Sequence, residues 1–304
     1  MTGLRQSAIR LFRLAGVDVF LHWSWFLVAA FEIGDRKSAY SSVTWNILEY
    51  LGLFLIVLMH EYGHALACRS VGGIANQIVL WPLGGVAYVS PPQRPGAMLW
   101  SIAAGPLVNV ALAPVLWTIG KTSRALGWAE LMPNFHALLQ ALWLINLTLL
   151  IFNLLPIYPL DGGQILRSLL WYVIGRARSL MAVTILGFFG MAGLFGLAVW
   201  LHSVWFGVLA VFVLMNCSKG LKSARALLRI AKLPRREDFA CPSCKTAPPV
   251  GEVWRCSACT NSFDTFQTRA VCPYCAASFA KTVCLECGTL HAIDEWAAPV
   301  AALP

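Results

Sequence analysis

Charge is what this sequence lacks. Of its 304 residues, 12% are Asp, Glu, Lys or Arg, about half the ~25% usual in a soluble domain. Acids are scarcest: 14 Asp and Glu stand against 23 Lys and Arg. Asp161 is the only carboxylate between Glu130 and Glu237. The 58% of apolar residues come in long runs rather than with an amphipathic period, and the mean hydropathy is +0.67. Together these exclude a soluble globular domain and point to a polytopic membrane protein. Cysteine is almost missing before residue 240, where only Cys68 and Cys217 occur, so the apolar part carries no disulfide framework. No convincing small-residue cleavage site follows the basic stretch MTGLRQSAIRLFRLAG, so VDVFLHWSWFLVAAF reads as an uncleaved first span.

What is present are apolar runs at 17–33, 46–68, 97–120, 136–157, 179–200 and 203–217, each near the ~20 residues that cross a bilayer. They predict an all-α polytopic membrane protein with about six transmembrane helices. Between the second and third runs, IANQIVLWPLGGVAYVSPPQ alternates polar and apolar residues, holds Gly84-Gly85 and ends in Pro91-Pro92. It predicts a short membrane-associated β-hairpin, which protein or a cavity must cover at membrane depth.

The net charge of +9 is mostly topological. Arg5, Arg10, Arg13, Arg69, Arg94, Arg167, Arg176 and Arg178 fall on one side of an even number of spans, predicting cytoplasmic N- and C-termini in a bacterial-type cytoplasmic membrane. Lys219, Lys222, Arg225, Arg229 and Lys232 recur every three or four residues. They form one helix face, either simply solvated or against anionic headgroups. Nucleic acid is disfavoured as a partner. The expected organisation is a transmembrane domain over 1–218, a basic juxtamembrane helix and linker over 219–239, a cysteine-paired domain over 240–296 and a disordered tail over 297–304.

The segment LMHEYGHALACR, residues 58–69, ends the second run. His60 and His64 are four apart, share one helix face and can hold one metal ion. Glu61 is turned about 100° from His60, which suits a group that touches metal-activated water without ligating the ion. An ionisable side chain at mid-bilayer costs at least ~2.5–3.5 kcal/mol, so three together need a compensating partner. A buried polar cluster or a structural ion would also satisfy that need. A catalytic zinc site needs a third ligand and an open position. The candidate is Asp161 in FNLLPIYPLDGGQILR, after a helix broken by Pro156 and Pro159 and before Gly162 and Gly163, which permit close backbone approach. An N-cap role for Asp161 is compatible with ligation. Span topology puts His60, His64 and Asp161 at the same depth, near the cytoplasmic face.

HEYGH, PLGG, AAGPLVN and NLLPIYPLDGG, with the opening GVDVFLHWSW, resemble the site-2 proteases, intramembrane zinc metalloproteases, over roughly residues 15–175. The resemblance implies zinc on His60, His64 and Asp161, with Glu61 as general base. It implies that Asn153, and with it Asn109, positions the scissile peptide or its oxyanion, although both could simply bond between helices. The implied reaction is hydrolysis of a membrane-anchored protein within the bilayer. The metal would bring the pKa of its water toward ~7, and Glu61 would carry the proton to the leaving amine. The substrate helix must unwind first, and the hairpin offers it a strand partner.

Cys241/Cys244, Cys256/Cys259, Cys272/Cys275 and Cys284/Cys287 are four C-x-x-C pairs. Eight thiolates predict two structural four-cysteine zinc sites beside the catalytic one. A domain this small has too little core to fold without such help. Sequential pairing, first pair with second and third with fourth, is expected; a cross-braced arrangement is the alternative. The domain resembles a double zinc ribbon, and a protein partner is expected for it. A catalytically inactive membrane adaptor acting through this domain is the competing function. A zinc transporter is disfavoured, because donors cluster at one depth instead of along a path.

Overall fold

A computed structural model describes residues 8–35, 40–81 and 86–296. Strands β1 (Ala8–Leu14) and β2 (Val17–His22) lead into helix α1 (Ser24–Asp35). Helix α2 (Val43–Ser70), strands β3 (Ile74–Leu80) and β4 (Val86–Ser90) and helix α3 (Pro95–Ala125) follow. A single turn, α4 (Trp128–Leu131), precedes α5 (Pro133–Leu154), α6 (Asp161–Trp200) and α7 (Val204–Ala231). Among the described residues five helices, α2, α3, α5, α6 and α7, are long and apolar enough to cross a membrane. Their outer faces leave Leu51, Leu55, Leu107, Val115, Phe189 and Val211 exposed. Apolar surface of that extent suits lipid and not water.

The expected first span at 17–33 is corrected. Its first residues are the strand β2, paired to its neighbours. Only the 12 residues of α1 are helical, about 18 Å of rise against a ~30 Å hydrocarbon core. The expected hairpin is likewise half of something larger. β1 to β4 form one sheet in that order. β1 and β2 are antiparallel, β2 and β3 are parallel through Val19↔Ile78 and Phe20↔Val79, and β3 and β4 are antiparallel. Gly84-Gly85 and the expected disordered tail 297–304 lie outside the described residues.

The sheet is placed to support α2. Val17, Val19, Ala75, Ile78 and Leu80 pack with Val57, Leu58, Ala65 and Cys68 of the helix, and Trp25 closes the cluster. That is the half of α2 that carries both histidines. The helix stops because Gly72 takes φ +82° while the Gly72 and Gly73 amides donate to the Arg69 and Cys68 carbonyls, a glycine-terminated end.

The prolines of the fourth run act as expected. α5 ends at Leu154, and α6 begins at Asp161, with Leu160 at the N-cap. Asp161 is thus the first residue of the helix rather than its cap. Gly175, at φ 80° and ψ 170°, breaks α6 in two, and the expected span at 179–200 is its second part. α7 runs unbroken through basic residues expected in a separate juxtamembrane helix; Lys219, Lys222, Arg225 and Arg229 are exposed on it, and so is Lys232 at its C-cap.

Candidate metal centres

The helical register of α2 sets His60 and His64 one turn apart, with their Nε2 atoms 3.1 Å from each other. The start of α6 brings Asp161 to the same point. Its Oδ2 lies 3.0 Å from Nε2 of His60 and 3.3 Å from Nε2 of His64. Ligands ~2.0–2.2 Å from a tetrahedral zinc are roughly 3.3–3.5 Å apart, so this triangle fits the ion with slight expansion. One carboxylate oxygen of Glu61 lies within 4.8 Å of the two histidine donors, and Glu61 is buried beside them.

The hydrogen bonds behind the triangle decide which nitrogens are free. Nδ1 of His64 donates to the Ser101 carbonyl at 2.9 Å. A carbonyl only accepts, so the proton sits on Nδ1, and Nε2 keeps its lone pair. Nδ1 of His60 lies 2.6 Å from Oδ1 of Asn109. Outer partners of this kind orient metal-binding imidazoles. Sequence reading set Asn109 beside Asn153 as a group facing the scissile peptide. The Asn109 amide is instead engaged at both ends, by His60 and by Asn146. Asn153 sits in the last turn of α5, half-buried.

Close helix approach makes the cluster possible. A Cβ on Gly105 would stand 2.3 Å from Nε2 of His64 and 2.9 Å from Nε2 of His60. One on Gly63 would meet the Ala104 carbonyl at 2.6 Å. Only hydrogen at these two positions lets α3 lie against the donors. At the other wall, a Cβ on Gly162 would reach the Leu154 carbonyl at 2.3 Å, and one on Gly163 the Ile157–Tyr158 peptide at 2.6 Å. The Gly-Gly pair therefore folds α6 back onto the end of α5 and aims Asp161 at α2. Sequence reading missed Ser101, Gly105 and Asn146. Gly105 stood in a quoted motif, and Asn146 is an amide in the middle of an apolar run, a signal that was there to use.

In the C-terminal domain the eight cysteines gather as two sets, Cys241, Cys244, Cys284 and Cys287 in one and Cys256, Cys259, Cys272 and Cys275 in the other. The pairing is nested, first pair with fourth and second with third, which corrects both the sequential and the cross-braced expectation. Sulfur–sulfur distances are 3.7 Å for Cys241–Cys287 and Cys244–Cys284, and 3.6 Å for Cys256–Cys275 and Cys259–Cys272. Sulfurs ~2.3 Å from a tetrahedral zinc are roughly 3.8 Å apart. The reason for the nesting is visible in the core. Phe239, Trp254, Phe266 and Trp296 pack between the first and last knuckles, and Phe263 with Phe279 packs under the middle two.

All four knuckles share one geometry. The residue after each second cysteine, Lys245, Thr260, Ala276 or Gly288, has positive φ, and its amide donates to the carbonyl of the first cysteine. Burial raises the Cys241 thiol, but the backbone N–H groups of Cys244 and Ser243 outweigh it and bring it to about 6. At Cys256 the Cys259 amide leads, and the thiol is again brought to about 6. The amides thus favour thiolate, the form that binds metal, at one cysteine of each site, while burial raises Cys244 and Cys284 and, against the Ala277 amide, neighbouring thiols raise Cys275.

The last knuckle also touches the membrane domain. Nη1 of Arg176, directly after the break in α6, donates to the Leu285 and Glu286 carbonyls at 2.8 and 3.0 Å. A Cβ on Gly288 would lie 3.1 Å from Cγ of Gln93. A cleft of about 580 Å³ between Thr289, Val71–Gly72, Pro92, Arg94 and Gly96–Ala97 adjoins this contact.

Comparison with known proteins gives a family model, peptidase family M50, matching residues 49–130 and 128–197. A zinc metalloprotease of Methanocaldococcus jannaschii is 34% identical over 172 residues, 57% of this chain and 48% of the relative. A second relative from that organism, whose name also carries the words zinc metalloprotease, is 30% identical over 144 residues, 39% of this chain and 69% of the other. The chain thus spans about half the length of the first of these and more of the second. The solved site-2 protease from Methanocaldococcus jannaschii superposes with a TM-score of 0.53 and 27% identity, covering 70% of this chain and 95% of that one. With that protease matched over nearly its whole length, and the family match running through His60, His64 and Asp161, the chain belongs to peptidase family M50.

Proposed function

We propose that the chain is an intramembrane zinc endopeptidase that cleaves membrane-anchored proteins near the cytoplasmic face. The observation that carries this reading is the convergence of His60, His64 and Asp161 donors within 3.0–3.3 Å of one another, beside Glu61. Such a donor set, with a carboxylate left over, is what a hydrolytic site requires. Zinc bound there supplies a Lewis acid and makes water acidic enough to lose a proton at neutral pH. Glu61 takes that proton on its carboxylate and returns it to the leaving amine. His64 is held by the Ser101 carbonyl and His60 by Asn109, so the donors need no rearrangement during turnover. Asn153 positions the scissile peptide.

The substrate segment is drawn out of its helix as an extended strand. β4 is an edge of the four-stranded sheet, and strand addition along an edge is a general way to hold extended peptide. The eight knuckle cysteines hold two structural zinc ions, and the domain they form binds protein. The basic side chains Arg69, Arg94, Arg167, Arg176 and Arg178, and the basic end of α7, favour a cytoplasmic location for this end of the bundle, both termini and the knuckle domain. The buried Glu61 supports the enzyme over an inactive adaptor.

The test is cleavage of a co-expressed single-span substrate, with Glu61→Gln as the comparison. Processing is expected with the native chain and not with the variant. Equal processing by both would remove the protease reading. Zinc content of His60→Ala and Asp161→Ala tests the ligands, and undiminished zinc in both would remove the three-donor site.

A further inference from the structure

We propose that Asn146, a residue outside the metal-donor set, fixes which imidazole nitrogen of His60 faces the metal with a free lone pair, through the orientation of Asn109, and so acts as a positioning residue for the metal. The inference rests on the reading of His60 as a metal ligand, and its test separates the two.

His60, Asn109 and Asn146 come from α2, α3 and α5, and all three are buried, the two asparagines at 0% exposure. Nδ2 of Asn146 donates to the backbone carbonyl of Asn109 at 3.0 Å. That carbonyl can only accept, so the Asn146 amide has one allowed orientation. Its Oδ1 must then face Asn109, where it receives Nδ2 at 2.8 Å. With Nδ2 committed there, Asn109 must present Oδ1 to His60, at 2.6 Å from Nδ1. An amide oxygen accepts, so the hydrogen between them lies on Nδ1 of His60. The Nε2 lone pair is then left for the point shared with His64 and Asp161.

An asparagine alone would not give this result. Flipped by 180°, the Asn109 amide would offer N–H to the imidazole and stabilise the tautomer with its proton on Nε2, which cannot ligate. Asn146 removes that alternative, because a flip of Asn109 alone would set its Oδ1 against the Asn146 Oδ1 with no donor between them, and a flip of both amides would set the Asn146 Oδ1 against the Asn109 carbonyl oxygen. A purely apolar neighbour at 146 would fill the space and lose the orientation. The amide in the run LWLINLTLL therefore has a task beyond tying helices together.

The discriminating experiment uses full-length protein in detergent and follows zinc retained against a graded chelator series, alongside substrate processing. Asn146→Leu is expected to weaken zinc retention at the membrane site by about tenfold, within the 10–100-fold usual for outer-shell partners. Asn109→Asp added to Asn146→Leu is expected to restore it, since a carboxylate accepts from Nδ1 in any orientation and has no flip to be prevented. A packing role for Asn146 would not be rescued in this way. Where Asn146→Leu fails to accumulate, Asn146→Ser carries the same comparison. Unchanged zinc retention in the single variant, or no recovery in the double, would overturn the proposal. His60→Ala is the control: if it retains the same chelator-sensitive zinc, the ligand assignment itself fails. If only His60→Ala loses zinc, the assignment stands and the role of Asn146 does not.

Discussion

At the residue scale, the site depends on what certain positions cannot carry. Gly105 lies within van der Waals reach of two donor nitrogens, so Gly105→Ala must displace His64 or push α3 from α2. Overpacking of this kind costs about 1–3 kcal/mol, and moving a donor costs metal. Gly105→Ala is expected to lower zinc retention and processing by at least about tenfold. Gly120, on the same helix with nothing within 4 Å of its added Cβ, is the matched control. Gly120→Ala should leave both unchanged and add about 0.5–1 kcal/mol of helix stability. Equal behaviour of the two variants would show that close approach at Gly105 is irrelevant. Glu61→Gln separates binding from chemistry. It is expected to keep the zinc and lose about 10²–10⁴-fold in rate, the range for a general base, measured as turnover of a single-span substrate at matched metal content. His60, Glu61, His64 and Asp161 were legible in the sequence because each is an expensive group in an apolar run. Ser101 was not, since its contribution is a backbone carbonyl, which every residue has.

At the scale of elements, legibility followed the range of the forces involved. The helices α2, α3 and α5 were readable to within about a turn, because each is a local run of apolar side chains bounded by glycine, proline or charge; α7 was readable at its start, and its continuation through the basic residues to Ala231 was not. The run at 17–33 misled, because hydropathy records burial and does not distinguish β2 from a helix. β2 is buried by its partner β3, some fifty residues away in the chain, through Asp18↔Gln77 to Leu21↔Leu80. Parallel pairing leaves no turn signal between the strands. The nested cysteine pairing was hidden for a similar reason. The C-x-x-C spacing defines each knuckle, while the aromatic core of Phe239, Trp254, Phe266 and Trp296 decides which knuckles meet. Paired substitutions expose that choice. Replacing Cys241 and Cys284 together should release one zinc ion, because both belong to one site. Replacing Cys241 and Cys256 together should release two. Sequential pairing demands the reverse, and elemental analysis of the purified variants reads the difference directly.

For the molecule as a whole, the question is why the knuckle domain rests where it does. Three knuckles carry Lys245, Thr260 and Ala276 at the positive-φ position, each at a cost of roughly 1–2 kcal/mol relative to glycine. The fourth uses glycine, Gly288, and there Gln93, in the connection between β4 and α3, stands 3.1 Å from the missing Cβ. Backbone strain alone would favour glycine at all four positions. The approach of the membrane domain explains why it occurs at this one, next to the two carbonyls that Arg176 holds. The fourth knuckle is therefore shaped as a contact surface as well as a metal clip. Gly288→Ala and Arg176→Ala are both expected to loosen the domain from the bundle while leaving all its zinc in place. Hydrogen exchange at residues 284–289 should rise in both variants, and zinc content should not change. Metal removal should act differently. Without the ions the domain has too little core to remain folded, so alkylation under chelator should reach the eight knuckle cysteines and spare Cys68 and Cys217, which are fully buried in the bundle. If Gly288→Ala instead lost zinc while its exchange matched that of the native chain, glycine would be serving the knuckle and not the contact.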